Sequence, residues 1–293
     1  MRPVREIVVL SGKGGTGKTS LVASLASLLR RKVLVDCDVD AANLNLLING
    51  RVIEEQPFVA GNKAIIRSDA CTACGTCRQV CRFEAISEDF VVDPLACEGC
   101  GACYFLCPES AVVFDEMLAG HLYVAETDER EPVIFAELLP GGENSGKLVA
   151  QVRTKARELA EQRQEKLLLI DGPPGVGCPV ISSLTGASLT LLVAEPTLTG
   201  IHDLERIVQL AGHFQIPVSV VVNKSDLNRA FTERIRMLCE ERKLQLLGTV
   251  PYEPRISEAQ RQARTILDYA PDCPASLAVK EIFTKLQSIV EVS

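Results

Sequence analysis

Short aliphatic runs recur along the chain, separated by segments in which apolar positions return every three or four residues. EIVVL (6–10), KVLVD (32–36), LLLID (167–171), SLTLLVA (188–194), PVSVVV (217–222) and LQLLGTV (244–250) predict buried strands. TSLVASLASLLRR (19–31) and a stretch over about 146–163 carry helical spacing instead. Strands apolar on both faces and separated by helices predict a doubly wound, mostly parallel α/β sheet. Ligands of such sheets gather at the carboxyl ends of the strands. Near the end of the chain, Ile282, Phe283, Leu286, Ile289 and Val290 form one apolar stripe. Its polar face offers only Lys280, Glu281 and Lys285, so the segment should pack on the core rather than lie on a membrane.

The alternation stops near Gly61 and resumes after residue 116, and an internal repeat fills the gap. CTACGTCRQVCRFEAI (71–86) aligns with CEGCGACYFLCPESAV (97–112). The expected organisation is a discontinuous α/β domain, 1–60 and 117–293, with a small α+β domain inserted at 61–116. Eight of the 12 cysteines lie in the repeat at metal-ligand spacing, and MRPVREIVVL lacks the length and cleavage site of an export signal. Reduced thiolates therefore fit better than a disulfide framework.

Each half of the repeat is a C-x2-C-x2-C-x3-C run, and the pair resembles the bacterial two-cluster ferredoxins. That resemblance implies two 4Fe-4S clusters, one on Cys71, Cys74, Cys77 and Cys107 and the other on Cys81, Cys97, Cys100 and Cys103. The proline that usually follows the fourth cysteine is present as Pro108 but replaced by Arg82 in the first run, where a cation would favour the reduced cluster. Structural zinc is the alternative for paired C-x2-C spacings.

Charge narrows the partners. The 293 residues carry a net charge of -7, which argues against non-specific binding to nucleic acid or to an anionic membrane surface. No 18-residue apolar run occurs, so stable membrane insertion is not expected and the protein should be cytoplasmic.

The first predicted strand runs into SGKGGTGKT, and Gly12 to Thr19 matches G-x-x-x-x-G-K-T between a strand and a helix. Gly12, Gly14, Gly15, Thr16 and Gly17 let backbone amides wrap phosphates, Lys18 reaches the terminal phosphates, and Thr19 offers a hydroxyl to Mg2+, with Ser20 alongside. Lys13 makes the loop resemble the deviant Walker A motif of the MinD, ParA, Mrp and nitrogenase iron protein group. The resemblance implies ATP hydrolysis, and a dimer, homomeric or made with a related paralogue, across which Lys13 reaches the partner's phosphates. In DCDVDAAN (36–43) it implies that Asp38 orients the attacking water and faces the magnesium; read by themselves, Asp36 is expected to buttress the loop and Asp40 to cap the following helix. In DGPPG (171–175) it implies that Asp171 holds a magnesium-bound water and that Gly172, Pro173, Pro174 and Gly175 form switch II. In VVNKSD (221–226) it implies that Asn223 contacts adenine. Lys224 and Asp226 also make NKSD similar to the guanine-reading NKxD of GTPases.

Cys178 lies seven residues after Asp171, where the nitrogenase iron protein carries a bridging-cluster ligand, whereas Cys37, Cys239 and Cys273 read as structural. ENSGK (143–147) is either a contact segment or a helix start. Three functional readings follow. The first is an ATP-gated electron donor with a redox partner. The second is a cluster-assembly or carrier ATPase of Mrp type with an acceptor protein, and the third is a positioning ATPase of MinD or ParA type.

Overall fold

The computed structural model describes residues 4–292, with side chains described through residue 289, so Val290 of the apolar stripe lies outside the described side chains. The chain runs through β1 (Arg5–Ser11), α1 (Lys18–Leu28), β2 (Lys32–Asp36), α2 (Leu44–Leu47), β3 (Arg51–Ile66), α3 (Thr76–Val80), α4 (Ala102–Phe105), β4 (Val112–Glu126) and β5 (Pro132–Leu138). It continues with α5 (Ser145–Arg163), β6 (Leu167–Pro174), α6 (Cys178–Leu184), β7 (Leu189–Ala194), α7 (Leu198–His213), β8 (Val218–Asn223) and α8 (Arg229–Glu241). The last elements are β9 (Gln245–Val250), α9 (Arg255–Arg261), α10 (Ile266–Tyr269) and α11 (Pro274–Val292).

Among the described residues the strands form one nine-stranded sheet, ordered β3, β4, β5, β2, β6, β1, β7, β8, β9. From β5 to β9 in that order every neighbouring pair is parallel. The central strands are buried from end to end, as continuous aliphatic runs require when helices cover both faces. Val9, Leu34, Leu169 and Leu191 share one core with Leu25 of α1 and with Ile282 and Leu286 of α11. Each such side chain contributes about 1.5–3 kcal/mol by leaving water. The terminal stripe is thus core, and it packs closely: a Cβ on Gly248 of β9 would come 2.8 Å from Ile282.

The strands read from the hydrophobic pattern do not include β3, β4 or β5. In β3 the segment Arg51–Gln56 is exposed, carries Glu54 and Glu55, and is followed by Pro57 and by Gly61 at φ +78°, so no apolar run marks it. β5 does carry an apolar run, PVIFA (132–136), all of it buried, which sequence reasoning missed.

By contact the chain divides into two compact units. One comprises Met1–Gln56, Leu122–Glu137 and Ser145–Ser293; the other comprises Pro57–His121 and Leu138–Asn144. The smaller unit thus takes in residues 138–144 as well as the cysteine repeat.

Candidate functional site

The glycine-rich loop joins the end of β1 to the start of α1. Gly17 caps α1 in the left-handed region at φ +86°, which lets the chain turn sharply from loop into helix. Two residues at the end of β8 hold the loop. The side-chain amide of Asn223 donates to the Thr16 carbonyl at 2.7 Å, and the Lys224 ammonium donates to the Gly15 carbonyl at 2.8 Å. The Ser11 hydroxyl donates to the Lys13 carbonyl at 3.0 Å. With its carbonyls bound from outside, the loop is left to present amides to an anion at a helix N-terminus.

Lys18, in the first turn of α1, donates to Asp171 Oδ1 on β6 at 2.6 Å, and both side chains are buried. Burial pushes the Lys18 ammonium down. The charge and hydrogen bond of Asp171, with Asp36 and Asp38 behind them, outweigh burial and hold it above its ordinary value. The other Asp171 oxygen, Oδ2, is buried without a hydrogen-bond partner, as is the Thr16 hydroxyl. Buried polar atoms left unpaired are costly unless a ligand completes them. A free carboxylate oxygen on β6 and hydroxyls at the loop suit a hard, oxygen-seeking cation beside phosphate, so the donor set fits Mg2+.

Asp36, at the end of β2, is fully buried and accepts from the amides of Asp38, Asn43 and Leu44, each at 3.0 Å. Burial, reinforced by Asp171, pushes its carboxyl up to about 7 despite those bonds and Lys18. It is a buttress that shapes the 38–43 turn. Burial also raises Asp38, opposed by Lys18, and Asp38 lines the cavity that the loop borders.

That cavity, about 540 Å3, falls in the range of small-molecule sites. Gly14, Gly15, Gly17, Lys18, Thr19 and Asp38 surround one end, and Asn223, Val250, Pro251, Tyr252 and Ile256 the other. Asp226 does not line it; its Oδ1 accepts from the Tyr252 amide at 2.6 Å. The guanine-reading alternative for NKSD thereby lacks its carboxylate, and Lys224 serves the loop instead. Pro174 of the DGPPG segment lines the cavity, while Gly175, at φ +89°, donates its amide to the Ser11 carbonyl at 2.9 Å. Cys178 is exposed at the start of α6.

In the smaller unit the repeat extends to the backbone. Gly75 and Gly101 cap α3 and α4 at φ +83° and +82°. Positive φ recurs with the same 26-residue offset at Ala73 and Gly99, and again at Glu84 and Ser110. Cys81 Sγ accepts from the Ala85 amide at 3.4 Å and Cys107 Sγ from the Ala111 amide at 3.3 Å, again equivalent positions. Cys71, Cys74, Cys77 and Cys107 line one small cavity, and Cys81, Cys97, Cys100 and Cys103 line another. Among the described residues, no three His, Cys, Asp or Glu side chains converge closely enough to hold a single metal ion. In ENSGK, Glu143 pairs with the buried Lys63 at 2.5 Å, and Lys63 also donates to the Cys97 carbonyl at 2.5 Å, while Ser145 begins α5.

Sequence reasoning missed Glu195, which sits directly after β7 and pairs with both Lys13 and Lys224. Glutamate in VAEPT carries no motif, and only the placement of β7 beside β1 and β8 brings it to the loop.

A loop at the carboxyl end of a parallel strand, a buried lysine and aspartate at its centre and a nucleotide-sized cavity define a P-loop nucleotide-binding protein. Residues 7–266 match the CobQ/CobB/MinD/ParA nucleotide binding domain, and the chain belongs to that family. It is an ATP-binding MinD/ParA-type ATPase. It is 32% identical to the protein MJ0578 of Methanocaldococcus jannaschii over 98% of both chains. It is 23% identical to the ATP-binding protein MJ0547 of the same organism, over 96% of this chain and 86% of the relative. The fold is also that of the septum site-determining protein MinD from Pyrococcus horikoshii, solved with Mg-ADP, with a TM-score of 0.60 at 16% identity over 98% of each chain. No helix among the described residues is long and apolar enough to cross a membrane.

Proposed function

We propose that the protein is an ATP-gated iron-sulfur ATPase, in which turnover in a dimer, with a second copy or a related paralogue, controls electron transfer through the cysteine unit. The observation that carries this reading is the division of eight cysteines between two cavities. Each cavity is lined by three cysteines of one run and the fourth of the other. A cube takes one thiolate per iron, so its donors ring a space rather than meet at a point. The amides that donate to Cys81 and Cys107 are those expected to stabilise ligating thiolates. When bound, each cluster supplies one-electron transfer at low potential.

At the nucleotide, Lys18 would neutralise the terminal phosphates, Asp38 would orient the attacking water, and Thr19, with Asp171 through a water, would hold Mg2+. Asn223 lines the adenine end, and Lys13 reaches the partner's phosphates. A conformational coupling of about 1–3 kcal/mol between the two units corresponds to roughly 40–130 mV in a one-electron potential. Anaerobic protein titrated by EPR with and without ATP should show that shift; potentials unchanged by ATP would remove the gating.

A second prediction tests the ligand sets. Cys81→Ser should lower bound iron from about eight to about four atoms per chain. The surviving EPR signal should belong to the cluster on Cys71, Cys74, Cys77 and Cys107. A surviving cluster held by Cys97, Cys100, Cys103 and Cys107 instead would overturn the crossed arrangement.

The family itself favours a different reading, a MinD/ParA-type positioning ATPase in which the cysteine unit reports redox state. A Mrp-type cluster carrier is the third. ATP-triggered release of iron to an apo-acceptor would select the carrier. Clusters unmoved by ATP, together with ATP-dependent self-association, would select the positioning ATPase.

A further inference from the structure

Lys13 and Lys224 share one carboxylate. Glu195 Oε2 lies 2.8 Å from the Lys13 ammonium, and Oε1 lies 2.5 Å from that of Lys224. The glutamate is largely buried, 12% exposed, whereas Lys13 is 41% exposed. Its backbone is fixed as well: its carbonyl accepts from the Thr197 amide at 2.8 Å, and a Cβ on Gly200 of α7 would come within 2.2 Å of the same oxygen. Glu195 does not line the nucleotide cavity; it borders a smaller neighbouring one, with Gly12, Lys13 and Asp203. Lys13 therefore has two calls on its charge, a triphosphate held by the partner subunit or the carboxylate beside it.

We propose that Glu195 is the positioning residue for Lys13: it holds the lysine in the nucleotide-free chain, and Lys13 engages a triphosphate by exchanging this carboxylate for phosphate oxygens. The inference rests on the reading above that Lys13 acts on a triphosphate across a dimer. Lys224 makes the exchange reversible. Pulling the single partner from a buried carboxylate strands its charge at a cost of several kcal/mol. With Lys224 in place the carboxylate keeps one cation after Lys13 leaves, so the triad passes from one net positive charge to a neutral pair. Burial pushes the Glu195 carboxyl up, but the two lysines outweigh it and hold it below the usual carboxylate range, as a shared anion requires.

The test is ATP-dependent self-association of the full chain, followed by sedimentation, with steady-state hydrolysis measured alongside. Glu195→Gln frees Lys13 and should tighten association about two- to five-fold, the scale of a partly exposed ion pair. Lys224→Met leaves Lys13 as the carboxylate's sole cation and should weaken association by at least a similar factor. Adding Glu195→Gln to Lys224→Met should recover part of the lost association, the remainder being the Lys224 tie to the Gly15 carbonyl. A purely structural triad would weaken in both single variants and weaken further in the double, and that result overturns the proposal. Lys13→Ala separates the two layers: if it associates and hydrolyses ATP like the parent, the reading of Lys13 itself fails. If Lys13→Ala is defective but the Glu195 and Lys224 variants shift in the same direction, the positioning role alone fails.

Discussion

Lys18→Met should reduce ATP hydrolysis by at least about 10³-fold and lower the stability of the nucleotide-free chain at neutral pH by roughly 3–5 kcal/mol. The catalytic part follows from charge, because a cation aimed at the transferring phosphoryl group acts in a site partly closed to water. The stability part follows from burial. Lys18 and Asp171 are 6% and 0% exposed, and Asp36 and Asp38 add their charges to the same site. Removing this buried cation strands a carboxylate cluster rather than a single acid.

The pH dependence has a definite sign. Asp36 in the folded chain holds its proton up to about 7, whereas in the unfolded chain it releases it near 4. The folded state therefore binds more protons between those values, and stability falls as pH rises through that window. In Lys18→Met the neighbouring acids lose their cation and their folded values rise, so the fall should steepen and extend upward. The Lys18 pair has the same sign in a higher window: its raised value keeps its contribution through neutral pH, and it is lost only as pH rises above the ordinary lysine range. Melting temperatures of parent and variant at pH 5 and pH 8 check the carboxylate part, since the Lys18 pair is intact at both values. The gap should be small at pH 5 and large at pH 8; an equal gap at both would mean the carboxylates do not lean on Lys18.

The contrast between Lys18 and Glu195 shows which features the sequence carries. The phosphate loop is legible because consecutive residues do all its work: the strand, the glycines, the lysine and the helix start follow one another from Glu6 to Leu28. The cysteine runs are legible for the same reason, since a repeat with fixed spacing survives without knowledge of the fold. The parallel sheet could be inferred from apolar runs, but its order could not, because nothing local states that β1 lies between β6 and β7. Glu195 depends on that order. So does Asn223, whose place at the end of a strand was legible while its bond to the Thr16 carbonyl, 207 residues away, was not. β3 and β4 escaped for a different reason, since exposed polar positions, Pro57 and Gly61 erase the aliphatic run that marks the other strands.

Gly17→Ala should weaken ATP binding by at least about 30-fold, although it adds a single methyl group. Gly17 sits at φ +86°, where an alanine costs about 1–2 kcal/mol. The new Cβ would lie 2.3 Å from the side-chain nitrogen of Asn223. That nitrogen is the end of a side chain and can move, but it now donates to the Thr16 carbonyl. Moving it leaves a buried acceptor unpaired, at about 1–3 kcal/mol. Backbone strain and the broken tie together give roughly 2–5 kcal/mol, enough to unseat a loop whose carbonyls must stay bound from outside. Gly212→Ala on α7 is the matched control: its Cβ meets nothing within 4 Å, and an alanine within a helix should stabilise by about 0.5–1 kcal/mol. Adding Asn223→Ala to Gly17→Ala separates the two causes. If the tie to Thr16 is the larger one, the double variant should bind ATP no worse than Gly17→Ala alone, because the bond is already lost. A Gly17→Ala chain that bound ATP within about threefold of the parent would show that the loop is not held by β8.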